Sequence, residues 1–331
     1  MQDNINTIIS NCLMVNKDIL SDNIKNIINQ FKISLNNNRE IIQEANKIDK
    51  KNNNGFIMNF DTIDRIFTNL EKEDIYYKDV TLSIKDNEQN IMYGKELMDY
   101  GNVVVINDGN PYVIIEMIIK NIKAGNTVIL TNNGYMYGTN QLLIQTIQSV
   151  LEQFNISKYL VQMYITDNYD ILSKFANIDL VVCIGNHNLQ QLVLNKSRNK
   201  TIVSGYENFD LYIEDLTHLD FIKKILNLNI NIQVYVKNGI KLDYENAITV
   251  GDLDEAIGMI NYNGNKYATT IFTNDNNNAS RFIKEVKSSI VTINTSPTIE
   301  RIIDIKQIDL MKEKTIIYPV SFKFDGDEYE K

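Results

Sequence analysis

The 331 residues carry a formal charge of −9 and hold 33 Lys and Arg against 42 Asp and Glu, with no basic block, which argues against nucleic acid or an anionic membrane as partner because phosphate binding needs clustered cations. The length suffices for one large or two medium domains with their own cores, and no apolar run approaches the roughly 18 residues of a transmembrane helix. The first twenty residues lack a basic stretch ahead of a long apolar one, so no signal peptide is expected, and two cysteines, Cys12 and Cys183, fit free thiols in a reducing cytoplasm.

Residues 1–50 read as helices, with apolar side chains at three- and four-residue spacing between charged ones. Lys50 to Gly55 is a helix stop and loop. A further helix covers 62–80, and 79–86 with 89–95 alternate as a β-ribbon. From residue 101 the pattern becomes strand–helix–strand. Strands are expected at 102–108, 126–131, 160–165, 178–185 and 200–205. Helices are expected at 111–125, ending on Gly125, and at 138–155, 168–177 and 188–197. Apolar strands alternating with amphipathic helices imply an α/β fold with a parallel sheet covered on both faces.

A second, smaller α/β segment follows. Its helices are expected at 219–229, 252–263 and 278–289, and its strands at 232–238, 267–274 and 290–296. One strong strand, 314–324, precedes an acidic tail. Glycine is scarce, 14 in 331, roughly 4% against an average near 7%, and glycine is what lets backbone approach a bound phosphate.

Three stretches, in order, resemble γ-glutamyl phosphate reductase, a family of the aldehyde dehydrogenase superfamily. The first is "NREIIQEANKIDKKNNNG" with the later "DTIDRI". The second is "VVVINDGNPYVIIEMIIKNIKAGNTVIL", continuing to "IDLVVCIGNHNLQQLV". The third is "DLDEAIGMINYNGNKYATTIFTNDNNNASRFIKEVKSSIVTINTS". The resemblance implies an aldehyde-dehydrogenase-like fold in three parts. Residues 1–213 form a Rossmann-like cofactor-type domain with 78–95 as its β-ribbon. Residues 214–300 form a truncated catalytic-type domain, and 301–331 a C-terminal segment carrying an oligomerisation strand. Ribbon edges pair readily, so the expected partner is a second copy or an active paralogue.

The family reaction uses a cysteine thiolate on an acyl phosphate or aldehyde carbon, hydride exchange with NAD(P), and an Asn that stabilises the oxyanion. The cysteine loop should lie between helix 219–229 and strand 232–238. Here Asn229 runs through Ile230 and Asn231 almost directly to Gln233, so loop and nucleophile are missing. Cys183, inside a strand, reads as a structural thiol. The oxyanion position falls at Tyr112, with Asn110 the alternative and a plain turn residue the simpler reading of Asn110. The cofactor loop corresponds to Thr131–Asn140. Its candidate contacts are Thr131, Asn132, Gly134 and Tyr135, and it holds no Lys, Arg or Glu. The glycine-rich segment expected after residue 296 contains no glycine, and the block between 238 and 251 is much shorter than the resemblance implies.

No zinc-type spacing, GxGxxG, P-loop or nucleophile elbow occurs, and no metal is expected. These losses point to a degenerate, catalytically inactive protein with a structural or regulatory role and no cofactor. The alternative is a divergent glutamate-5-semialdehyde dehydrogenase of proline biosynthesis that keeps NADP(H), and a sensor of a small ligand is a third reading.

Overall fold

The computed structural model describes residues 5–15, 20–53, 57–73, 80–84, 91–170, 177–204, 208–226, 231–244, 246–263, 268–296 and 305–319. In chain order, helices α1 (Ile5–Leu13), α2 (Leu20–Asn37), α3 (Arg39–Asn53) and α4 (Phe60–Lys72) precede strands β1 (Val80–Ile84), β2 (Ile91–Asp99) and β3 (Asn102–Asn107). Then come α5 (Pro111–Ala124), β4 (Thr127–Asn132), α6 (Tyr137–Gln153), β5 (Val161–Ile165), β6 (Leu180–Ile184), α7 (His187–Lys196) and β7 (Thr201–Ser204). The rest is β8 (Asn208–Ile213), α8 (Leu219–Leu226), β9 (Asn231–Lys237), β10 (Ala247–Val250), α9 (Leu253–Asn263), β11 (Ala268–Phe272), α10 (Asn276–Glu285), β12 (Ile290–Ile293) and β13 (Met311–Pro319).

Two compact units result. The first comprises residues 1–182, 197–202 and 305–331, and the second 183–196 and 203–304. One five-stranded sheet has the order β5-β4-β3-β6-β7, with β4 parallel to both β3 and β5. The chain steps outward from β3 to β4 and β5, then returns to β6 on the other side of β3. In such doubly wound sheets ligands bind outside the carboxyl ends of the strands near this reversal. The second five-stranded sheet, β10-β9-β8-β11-β12, is parallel at every pairing.

Helix α5 is the spine of the first unit. All fourteen of its residues are buried, as expected of a helix apolar on every face. Its two lysines are buried by finding carbonyls. Lys120 Nζ pairs with Glu116 at 2.7 Å and donates to the Ile305 carbonyl at 2.6 Å. Lys123 Nζ donates to the carbonyls of Leu70 and Glu73, placing a cation on the last carbonyls of α4, where the helix dipole favours it. Gly125 ends α5 in the left-handed region at φ 79°.

A third, three-stranded sheet has the order β1-β2-β13, antiparallel throughout. The ribbon expected at 78–95 is therefore β1 with a longer β2, and the C-terminal strand pairs with β2 in the same chain. Glu96 lies opposite Lys314, their charged atoms 3.6 Å apart, and Lys95 reaches Glu313 at 2.8 Å. Such exposed pairs stabilise little but favour one register.

Most expected elements appear within a few residues of their positions. The helix expected at 62–80 ends at Lys72, and most of the helix expected at 168–177 lies outside the described residues. Strand β8 was not anticipated. It occupies the centre of the second sheet, so that sheet begins before the boundary drawn at residue 213. Its sequence, "NFDLYI", carries Asp210 in the middle of the run, which broke the apolar signal although Asp210 is buried.

Candidate functional site

The turns that leave the carboxyl ends of β3 and β4 hold the residues singled out for oxyanion and cofactor binding. After β3, Asn107 Oδ1 accepts the Gly109 N–H at 2.7 Å and Asp108 Oδ1 accepts the Asn110 N–H at 3.1 Å. Asn110 then caps α5, its Oδ1 accepting the Tyr112 N–H at 3.0 Å with Pro111 as the first helical residue. This is standard start chemistry for a helix. Tyr112 is buried, and its hydroxyl accepts the Asn59 N–H at 2.6 Å, tying α5 to the start of α4. The Asn110 carbonyl oxygen and the Tyr112 hydroxyl are thus both committed to helix starts.

The turn after β4 is equally self-contained. Asn132 Oδ1 accepts the Gly134 N–H at 2.8 Å, and Asn133 Oδ1 accepts the Tyr135 N–H at 3.0 Å. Met136, left-handed at φ 57°, occupies the cap position of α6 and makes no side-chain cap bond. Asp49, on α3, supplies the cap instead. Its carboxylate accepts the N–H groups of Gly138 at 3.2 Å and Thr139 at 2.7 Å, and the Thr139 hydroxyl at 2.6 Å. Asn140 Nδ2 fastens the two turns together, donating to the Gly109 carbonyl at 2.7 Å and the Tyr135 carbonyl at 3.1 Å. Gly109 has φ 86°, and a Cβ there would lie 2.4 Å from the Tyr135 carbonyl oxygen.

A dinucleotide phosphate needs free backbone N–H groups and positive potential. The donors of Gly134, Tyr135, Gly138 and Thr139 all have acceptors within the protein, and Asp49 places negative charge at the start of α6. Thr131 and Asn132 are buried in β4. Burial first, and then the nearby Asp108 charge, raise the Tyr135 hydroxyl pKa above its ordinary value. As an anion cradle this turn is already filled by its own carboxylate. Asp49 was the missed residue. It stands 89 and 90 positions before the N–H groups it caps, and its signal in sequence was its place as the acid of "ANKID" in the first stretch that carries the resemblance.

Neither thiol is exposed. Cys183 is fully buried in β6, and burial pushes its thiol up to about 12, which leaves almost no thiolate near neutrality. Cys12 is buried on α1 with Gln162 Nε2 at 3.0 Å from its sulfur. Residues 227–230, which hold Asn229 of the expected nucleophile gap, lie outside the described residues. Their sequence, Asn-Leu-Asn-Ile, contains no cysteine, serine or threonine. Among the described residues, no group of three or more His, Cys, Asp or Glu could hold a metal ion, and no helix is long and apolar enough to cross a membrane.

In the second unit, Glu214 just past the end of β8 gathers Lys237 at 3.1 Å, Asn278 Nδ2 at 2.8 Å and the Thr273 hydroxyl. Burial alone would raise the pKa of neighbouring Asp215, but hydrogen bonds from Thr217 and Asn274 bring it below the ordinary carboxylate value. Both acids hold elements together.

The fold is that of the aldehyde dehydrogenase superfamily. An NADP complex of glyceraldehyde-3-phosphate dehydrogenase from Methanocaldococcus jannaschii superposes with TM-score 0.70 and 12% identity, covering 95% of this chain and 94% of that one. In sequence and in fold the chain is similar to γ-glutamyl phosphate reductases. The Thermotoga maritima reductase superposes with TM-score 0.67 and 15% identity over 98% of this chain and 100% of that one. In sequence, the Dictyoglomus thermophilum reductase is 22% identical over 65% of this chain and 66% of its own length. The Alkaliphilus metalliredigens reductase is 21% identical over 81% of each chain. The Dictyoglomus match thus spans just under two thirds of that relative. No family model matches the sequence.

Proposed function

We propose that this chain is a catalytically inactive relative of γ-glutamyl phosphate reductase, kept for a structural or regulatory role. The observation that carries the reading is the placement of its thiols. A thioester mechanism needs an accessible thiolate, and both cysteines of the sequence are buried, Cys183 with its thiol held at about 12. Self-capping of the turns after β3 and β4 supports the same reading for the cofactor, because a phosphate would have to displace Asp49 from the start of α6. The sheet β1-β2-β13 offers two edge strands, and pairing of these edges with a second copy or an active paralogue is the partner reading.

The test is an assay with γ-glutamyl phosphate or glutamate-5-semialdehyde and NADP(H). The expected result is no turnover above background. The competing reading, a divergent NADPH-dependent glutamate-5-semialdehyde dehydrogenase of proline biosynthesis, draws on the names of the sequence relatives. Turnover abolished by Cys183→Ala would establish it. Turnover that survives loss of both cysteines would contradict inactivity and the thiol argument together.

A further inference from the structure

The sequence contains four Asn-Gly pairs, at residues 54, 133, 238 and 263, of which the pairs at 133 and 238 lie wholly within the described residues. Glycine after asparagine lets its backbone nitrogen reach the asparagine carboxamide carbon, since no Cβ stands in the way. Reaction also needs that nitrogen free to lose its proton, a carboxamide free to turn, and open space around the turn.

Both asparagines are exposed, and the two pairs differ in how their reacting groups are held and in the space around the glycine. Asn238 and Gly239 are both exposed in the turn that leaves β9. A Cβ built on Gly239, at φ 90°, would meet nothing within 4 Å. The turn is closed by Ile240 N–H to the Lys237 carbonyl at 3.1 Å and anchored by Asn238 N–H to the Val250 carbonyl at 2.7 Å. Among the described residues, neither the Gly239 N–H nor the Asn238 carboxamide has a hydrogen-bond partner. Around Asn133 both groups are held: the Gly134 N–H donates to Asn132 Oδ1 at 2.8 Å, and Asn133 Oδ1 accepts the Tyr135 N–H at 3.0 Å.

We propose that Asn238 is a site of spontaneous deamidation, and that the fold protects Asn133. The Gly239 backbone nitrogen gives up its proton to solvent and bonds to Asn238 Cγ. The carboxamide nitrogen takes up a proton from solvent, its bond to Cγ breaks and ammonia leaves, giving a five-membered imide. Water then opens either imide carbonyl, producing aspartate or isoaspartate without any change of oxidation state. The new carboxylate lies next in sequence to Lys237, whose ammonium pairs with Glu214 at 3.1 Å, and competes for it. The isoaspartate product also adds a methylene to the backbone of the closed turn. The modification therefore works as a slow, irreversible charge change at the carboxyl end of β9.

The experiment is peptide mapping by mass spectrometry of the full chain aged in mildly alkaline buffer, folded and in urea. In urea both pairs react. In the folded chain Asn238 reacts within a few-fold of its urea rate, while Asn133 slows at least about tenfold, the protection of a local opening step. Equal folded rates at the two sites, or an intact Asn238 while the urea sample reacts at both, would overturn the proposal. Gly239→Ala slows the reaction at residue 238 several-fold, and an unchanged rate there counts against the mechanism. Asn132→Ala, which frees the Gly134 N–H, speeds reaction at Asn133, and the same rate in a folded variant would remove the basis for its protection.

Discussion

At the scale of single residues, the candidate site is a set of polar side chains whose hydrogen bonds face inward. Asp49 is the clearest case, because one carboxylate accepts three donors at the start of α6. Asp49→Ala leaves those donors without their acceptor and should destabilise the chain by about 1–2 kcal/mol, the usual range for a lost helix cap, read as a lower urea midpoint. Asp210 behaves oppositely. Burial lifts its carboxyl from 3.8 to about 7, so the folded state resists ionising it. A raised carboxyl imposes no penalty below its unfolded value. The penalty accrues as pH rises from about 4 to 7 and is complete above that, at about 4 kcal/mol. Asp210→Asn should therefore raise stability near pH 8, change it little near pH 4, and flatten the profile between, measured by urea unfolding across that range. Cys183 in the folded chain should resist iodoacetamide near pH 8, where an exposed thiol reacts readily, and should react once urea unfolds the protein.

At the scale of elements, the regular βα units were plain in the sequence because each carries one strong period. The run 111–125 is apolar on every face and ends on glycine, and α5 stands there with Gly125 at φ 79°. What escaped the sequence depended on partners far along the chain. Strand β8 is central, yet Asp210 interrupts its apolar pattern. The capping of α6 by Asp49 joins α3 to α6 across most of a hundred residues. Asn110 reads in sequence as a turn residue or an oxyanion donor, and in the fold its Oδ1 caps α5 by accepting the Tyr112 N–H at 3.0 Å. The turns after β3 and β4 also make a steric demand. Gly109→Ala would place a Cβ 2.4 Å from the Tyr135 carbonyl oxygen at φ 86°. A loss of about 1–3 kcal/mol is expected, seen as a lower thermal midpoint by circular dichroism.

At the scale of the whole molecule, an aldehyde-dehydrogenase-like fold carries buried thiols and turns whose hydrogen bonds are made within the protein. Cores and sites are separable in this way, since packing tolerates what catalysis does not. The buried Cys183 thiol and the self-capped turn after β4 are independent features, one set by β6 and the other by the start of α6, and both support the proposed inactivity. Titration of the intact chain with NADPH by calorimetry, followed by the γ-glutamyl phosphate assay on the same sample, tests that claim most directly. The expected result is no heat of binding at millimolar NADPH and no turnover. Saturable binding accompanied by turnover that disappears in Cys183→Ala would contradict it.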